Sequence, residues 1–279
     1  MTTEKMLSFV EHLVELRKRL IVVIIAIVIG MGIAWNLSSE ILTFIEKPLT
    51  GHTYLTELKE DVYRIVKERY PGAYSRFDLG KKAQAQNDDR RLNYSAPLEP
   101  FFIQCKISII AGVILSLPII FYQIWLFVAP GLTRRERHLL IPFITLATVS
   151  FCVGALFFLT IIWPVIINFS LSYETTGLRS WFNISSYVNF CLRLILIFGL
   201  IFEMPIMVFL LSRFGMVTGS FLARNRKYAV LASAIVAAFH ADMLTMLVIM
   251  IPMYAMYEVS IWVARIFGKK RAVKQAAQP

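Results

Sequence analysis

The sequence predicts an all-α integral membrane protein with six transmembrane helices, the last two short and both termini cytoplasmic. Three observations predict it. Hydrophobic residues make up 57% of the 279 residues and charged residues 17%, with mean hydropathy +0.64. A typical soluble domain has roughly 45–50% apolar and about 25% charged residues. Long uncharged runs recur at lengths that cross a bilayer, about 20 residues for roughly 30 Å of hydrocarbon. Nearly all of the net positive charge then falls on one side of those runs.

The first span is Leu20 to about Leu37, where residues 20–39 carry no charge. Arg17, Lys18 and Arg19 precede it. It is longer than a signal-peptide core of about 7–15 residues, so it reads as an uncleaved anchor. The second span runs from about Phe101 to Phe127, with Lys106 in its first turns. The third runs from Leu139 to about Phe169, and the fourth from about Tyr187 to Leu211, with Arg193 and Glu203 inside it. Between Lys227 and Asp242 lie 14 uncharged residues, and between Asp242 and Glu258 lie 15. Helices of that length rise only about 21–23 Å, which makes the fifth and sixth spans short and calls for bilayer thinning or a shallow hairpin.

Charge sets the orientation. The N-terminal segment, the loops after spans two and four and the C-terminal tail together hold 16 Lys and Arg residues. They hold four acids, Glu4, Glu11, Glu15 and Glu136. The long loop at about 38–98, on the other side, holds 10 basic and 9 acidic residues. The net charge of +11 is thus a topology signal, and no nucleic acid is needed to explain it. Trp35, Trp125, Trp163, Trp181 and Trp262 all fall near span ends, as an interfacial aromatic belt would place them. The chain is read as one membrane domain over 1–279. Within its long loop, Thr53–Tyr70 has the spacing of a surface amphipathic helix, and 80–93 is polar.

The chain carries no phosphate-binding loop, no dinucleotide fingerprint, no HExxH and no CxxC. Cys105, Cys152 and Cys191 are far apart, in apolar runs, and read as small buried hydrophobes. The four histidines do not cluster. No cofactor or metal is expected, and no enzymatic chemistry.

Four acids need a reason. Glu203 lies mid-span, where a carboxyl costs at least about 2.5–3.5 kcal/mol on insertion scales. Arg193 is ten residues away, about 15 Å along the helix, too far for a direct pair. A functional role is the better reading of Glu203. Glu15 stands four residues before Arg19 and three before Lys18, so by spacing alone a local helix pair is the better reading. For Glu136, among Arg134, Arg135 and Arg137, local charge balance is likewise the better reading. Asp242 fits a polar turn.

HLVELRKRL at 12–20, KPL at 47–49 and SLPIIFYQIWLFVAPGLTRRERH at 116–138 resemble the TatC family. So do FGLIFEMP at 198–205, RNRKYAV at 224–230 and IPMYAMYE at 251–258. TatC is the core membrane subunit of the twin-arginine protein translocase. The resemblance spans nearly the whole chain except 50–95. It implies a cupped six-span protein of the cytoplasmic (inner) membrane. Such a protein binds twin-arginine signal peptides of folded cargo at its cytoplasmic face and assembles with TatA- and TatB-like single-span partners and further copies of itself. The proton-motive force drives its transport. It also implies that Glu15, Glu136 and Phe127 contact the signal, that His12, Arg17, Arg19 and Pro48 belong to the same signal-binding elements, and that Glu203 and Asp242 engage partners. The chemistry is recognition, because a carboxylate can take a planar guanidinium fork in bidentate fashion. Two departures stand out. FHAD at 239–242 replaces the family's TPPD and keeps only Asp242, and Thr245-Met246 replaces the SQ that follows it. The loop 50–95 is extended. A proton-coupled small-solute transporter using Glu203 and Arg193, and a TatC-like scaffold without transport, are the rival readings.

Overall fold

The structure is a computed structural model that describes residues 9–49, 92–128, 140–172, 181–238 and 243–267. Thr53–Tyr70, Glu136, Asp242 and the C-terminal tail, all read above from sequence, lie outside the described residues.

The described residues are helical almost throughout. They form α1 (Phe9–Trp35), α2 (Ser38–Glu46), α3 (Glu99–Val128) and α4 (Leu140–Phe157). A π-helical turn (Phe158–Ile162) leads from α4 into α5 (Trp163–Leu171). Then come α6 (Ile184–Arg213), α7 (Gly219–Arg224), α8 (Arg226–Ala238) and α9 (Met243–Phe267). Five segments are long and apolar enough to cross a membrane: Leu13–Trp35, Glu99–Phe127, Ile141–Leu171, Ile184–Arg213 and Thr245–Phe267. Between the fourth and fifth of these stands α8, at 13 residues about 20 Å long.

Three expectations change. The sixth helix is not short: α9 has 25 residues and continues past Glu258. A charge ends a span only if it must reach water, and Glu258 is instead neutralised by Arg226. Second, residues 38–46 are helical where an extended loop was expected. Third, Trp125 and Trp163 are not belt residues; they are 2% and 1% exposed. Nearness to a span end in sequence does not reveal whether a side chain turns toward lipid or toward a neighbouring helix. Trp181 and Trp262 are exposed.

Contacts divide the chain into two compact units. One comprises residues 23–116 and 158–194. There α1 and α3 pack at backbone distance. A Cβ on Gly30 would lie 2.6 Å from the Gly112 carbonyl oxygen, and one on Gly112 would lie 2.5 Å from the Met31 nitrogen. Small residues let helices approach this closely in lipid, where dispersion and interhelical hydrogen bonds drive association. Ser116 supplies such a bond, its hydroxyl donating to the Ala26 carbonyl at 2.8 Å. The opposite side of α1, including Ile21, Ile24, Ile25, Val28 and Ile29, is exposed, as a lipid-facing surface would be. Gln104 donates to the Ser38 hydroxyl at 2.9 Å, seating the start of α2. The end of α2 is seated more firmly. The Ile45 carbonyl accepts from the Trp163 indole and from the Tyr187 hydroxyl, both at 2.9 Å. Burial holds the half-buried Glu46 carboxyl above its ordinary range. Ahead of α3, the backbone N–H groups of Ser95 and Ala96 donate to the Glu99 carboxylate at 2.6 and 3.1 Å, a cap of that helix.

The other unit comprises residues 1–22, 117–157 and 195–279. Its core groups Trp125, Phe143, Ala147 and Ile206, with Phe121, Ile144 and Leu210 against them. Gly154 and Gly199 receive Phe202 and Phe151 closely, and the Ser150 hydroxyl donates to the Phe202 carbonyl at 2.7 Å. Helix α6 ends in a Schellman turn. Gly215 takes φ +73, while the Met216 and Gly215 N–H groups reach back to Leu211 and Ser212 at 3.0 and 3.1 Å. Thr218 then caps α7 by accepting from the Phe221 N–H.

Candidate functional site

Helix α1 positions the first group of predicted residues. Its N-terminal turns carry Glu15, Arg17, Lys18 and Arg19 ahead of the apolar run. Four residues of α-helix bring side chains onto one face, and Arg19 Nη2 accordingly donates to Glu15 Oε1. The Arg19 side chain is 17% exposed and that of Glu15 26%. Arg19 Nε is buried and has no hydrogen-bond partner among the described residues. Arg17 and Lys18 are exposed. The pairing expected from spacing alone is therefore present, and it is made by one nitrogen of the guanidinium. His12 lies in the same helix, with its side chain outside the description.

Phe127 is half-buried in the last turn of α3. Glu15, Arg19, Phe127 and Glu203 all belong to the second unit described above; Pro48 belongs to the first, where it is buried just after α2. Glu136 and Asp242 lie outside the described residues.

Glu203 is 7% exposed in α6. Its Oε1 has no hydrogen-bond partner among the described residues. Arg193, ten residues before it in the same helix, is exposed. A buried carboxyl oxygen without a partner is costly in any protein and more so in hydrocarbon. The sequence-level distinction between Glu203 and Arg193 thus carries into three dimensions.

A further pair escaped sequence reasoning. Arg226, at the start of α8, binds Glu258 of α9 through two nitrogens, Nε to Oε1 and Nη2 to Oε2, each at 2.8 Å. The Tyr254 hydroxyl also donates to Glu258 Oε1 at 2.9 Å, and the Tyr257 hydroxyl donates to the Leu222 carbonyl at 2.8 Å. The Tyr254–Glu258 spacing of four was visible in the sequence; the long-range arginine was not. Among the described residues no group of three His, Cys, Asp or Glu side chains could hold a metal.

Comparison with known proteins bears on all of this. The family described as Sec-independent protein translocase protein (TatC) matches residues 11–252. The protein of that name from Desulforapulum autotrophicum is 31% identical over 270 residues, covering 96% of this chain and 88% of the relative. The one from Aquifex aeolicus is 32% identical over 270 residues, covering 96% and 98%. Among solved structures, a crystal structure of the twin arginine translocase receptor TatC aligns with TM-score 0.69 at 32% identity, over 91% of this chain and 98% of the other. A second, of the same receptor in DDM, aligns with TM-score 0.71 at 31% identity, over 91% and 100%.

Proposed function

The chain belongs to the TatC family of Sec-independent protein translocase proteins, and from that premise we propose that it is the subunit that recognises twin-arginine signal peptides on folded cargo. It is a non-enzymatic membrane subunit of a protein translocase that works with other components. Family membership sets aside the small-solute transporter.

In the proposed function, Glu15, Glu136 and Phe127 receive the signal peptide at the cytoplasmic face of the inner membrane, where both termini also lie. His12, Arg17 and Pro48 shape the same surface. TatA- and TatB-like single-span proteins and further copies of the chain complete the translocase, and the proton-motive force drives it. Glu203 and Asp242 meet the single-span partners. A buried carboxyl oxygen with no partner among the described residues suits a group that is satisfied by another chain.

The observation that carries the reading is the state of Glu15. At the head of the first span a partly buried carboxylate already accepts a guanidinium. Arginine is the side chain whose fork matches a carboxylate, while lysine offers a point charge.

The test is binding of a twin-arginine signal peptide and its twin-lysine version to the purified chain in nanodiscs. Wild type should prefer arginine by about tenfold, about 1.4 kcal/mol. The double variant Glu15→Ala, Glu136→Ala should lose that preference. Equal binding of the two peptides by the wild type overturns the assignment. Peptide binding without restored export in cells lacking their own TatC would mark a scaffold instead.

A further inference from the structure

We propose that Arg19 is a resident occupant of the carboxylate site, a guanidinium of the chain itself that an incoming signal arginine displaces from Glu15. This rests on the reading of Glu15 as a signal-binding carboxylate, and it gives Arg19 a role opposite to that of a peptide contact.

Two arginine–carboxylate pairs in the same unit make the argument. At Arg226–Glu258 both carboxylate oxygens are occupied, both guanidinium contacts are short, and Tyr254 adds a third donor. The partners come from different helices, 32 residues apart, and the pair latches α8 to α9. Nothing about it invites exchange. At Arg19–Glu15 the guanidinium contacts one carboxylate oxygen through one terminal nitrogen. Its Nε is buried without a partner among the described residues. The two residues share one helical turn, so the pair joins no two elements of the fold. A ligand that leaves one of its own donors buried and unmet is held more weakly than one seated on both oxygens. A signal arginine approaching from outside the helix is free of the one-turn geometry and can present its full fork. Exposed Arg17 and Lys18 flank the site. Because exposed charges are screened, the threshold for binding is set by the resident arginine rather than by these neighbours.

Competition has a signature. The occupant must leave before either peptide binds, so removing it raises the affinity for arginine and lysine peptides by the same factor and leaves their ratio unchanged. A residue that touched the peptide would do the reverse.

The experiment measures the dissociation constants of both peptides for wild type, Glu15→Gln, Arg19→Gln, Arg19→Lys and Lys18→Gln, in nanodiscs at 0.15 M salt, about the physiological ionic strength. Arg19→Gln should bind both peptides about fivefold to tenfold more tightly. Lys18→Gln, which removes the same charge one residue away, should change binding by less than about twofold, because exposed charges are screened. Arg19→Lys keeps the charge and the aliphatic stem in the fold; it should bind more tightly than wild type and less tightly than Arg19→Gln. It carries the test if Arg19→Gln fails to fold. Affinity at or below wild type in both Arg19 variants, with Glu15→Gln weakened, overturns the proposal and leaves the site standing. Wild-type binding by Glu15→Gln overturns the site, and the proposal with it.

Discussion

The two units treat buried polar atoms differently, and their tryptophans show it best. Trp163 and Trp125 are equally buried. Trp163, in the unit of residues 23–116 and 158–194, gives its indole N–H to the Ile45 carbonyl and stacks edge-on against Tyr187 at 4.8 Å. Trp125, in the other unit, lies 4.7 Å from the Phe143 ring, with its N–H unpartnered among the described residues. The same contrast holds throughout. Buried side-chain atoms without a partner among the described residues are Arg19 Nε, Trp125 Nε1 and Glu203 Oε1, and all three lie in the second unit. Each unmet group costs about 1–3 kcal/mol. Among the described residues one half, the scaffold, satisfies its buried side-chain polar atoms, and the other leaves three unmet, as the proposed signal-binding surface would. The open half also holds every described candidate signal or partner residue except Pro48.

The largest effect expected is on the scaffold. Gly112→Leu places a side chain into the α1 backbone and should cost about 3 kcal/mol, the upper end for overpacking. Gly32, two residues from Gly30 on α1, faces open space; Gly32→Leu should be neutral or stabilise by up to about 1 kcal/mol through helix propensity. Thermal unfolding in detergent reads both. Equal losses at the two positions would break the view that α1 and α3 meet at backbone distance through Gly30 and Gly112.

The tryptophans give a smaller and sharper test. Trp163→Phe and Trp125→Phe remove similar volume from similarly buried sites. The first also removes a hydrogen bond, while the second removes an unmet donor. Trp163→Phe should therefore be the more destabilising by about 1 kcal/mol. The reverse order in the same unfolding assay would erase the distinction between the units.

The smallest effect concerns Glu46, which burial holds above the ordinary carboxylate range. The folded state then binds this proton more tightly than the unfolded state. Stability is favoured below the ordinary glutamate value and is lost as pH rises through it toward the raised one. Glu46→Gln should match wild type in Tm near pH 4 and exceed it near pH 7. A gap that is constant with pH would show that Glu46 titrates alike folded and unfolded.

Much of this was legible in the residues. The first four spans follow from uncharged runs, because a bilayer admits few alternatives to an apolar helix. The Glu15–Arg19 pair follows from a spacing of four, and the absence of a direct Arg193–Glu203 pair from a spacing of ten. What stayed hidden depends on long-range partners. Residues 38–46 read as loop because nothing local shows that the Ile45 carbonyl will meet Trp163 and Tyr187, 118 and 142 positions away. The length of α9 was hidden because Glu258 looks like the end of a span until Arg226 is seen beside it. The depth of Trp125 was hidden because its place in the chain says nothing about which way the helix turns it.

The π-helical turn at Phe158–Ile162 falls at the chain boundary between the two units, which divide at Phe157 and Phe158. Such a turn is equivalent to one residue inserted into an α-helix, and one residue is about 100° of rotation. In genetic terms it is a single added codon absorbed without breaking the rod. The apolar pattern before Phe158 and the one after it therefore need not share a common periodicity. Mutations that shift the lipid-facing or core-facing stripe on one side leave the other side's stripe where it was. The apolar stripes of the two units can therefore diversify separately along one span.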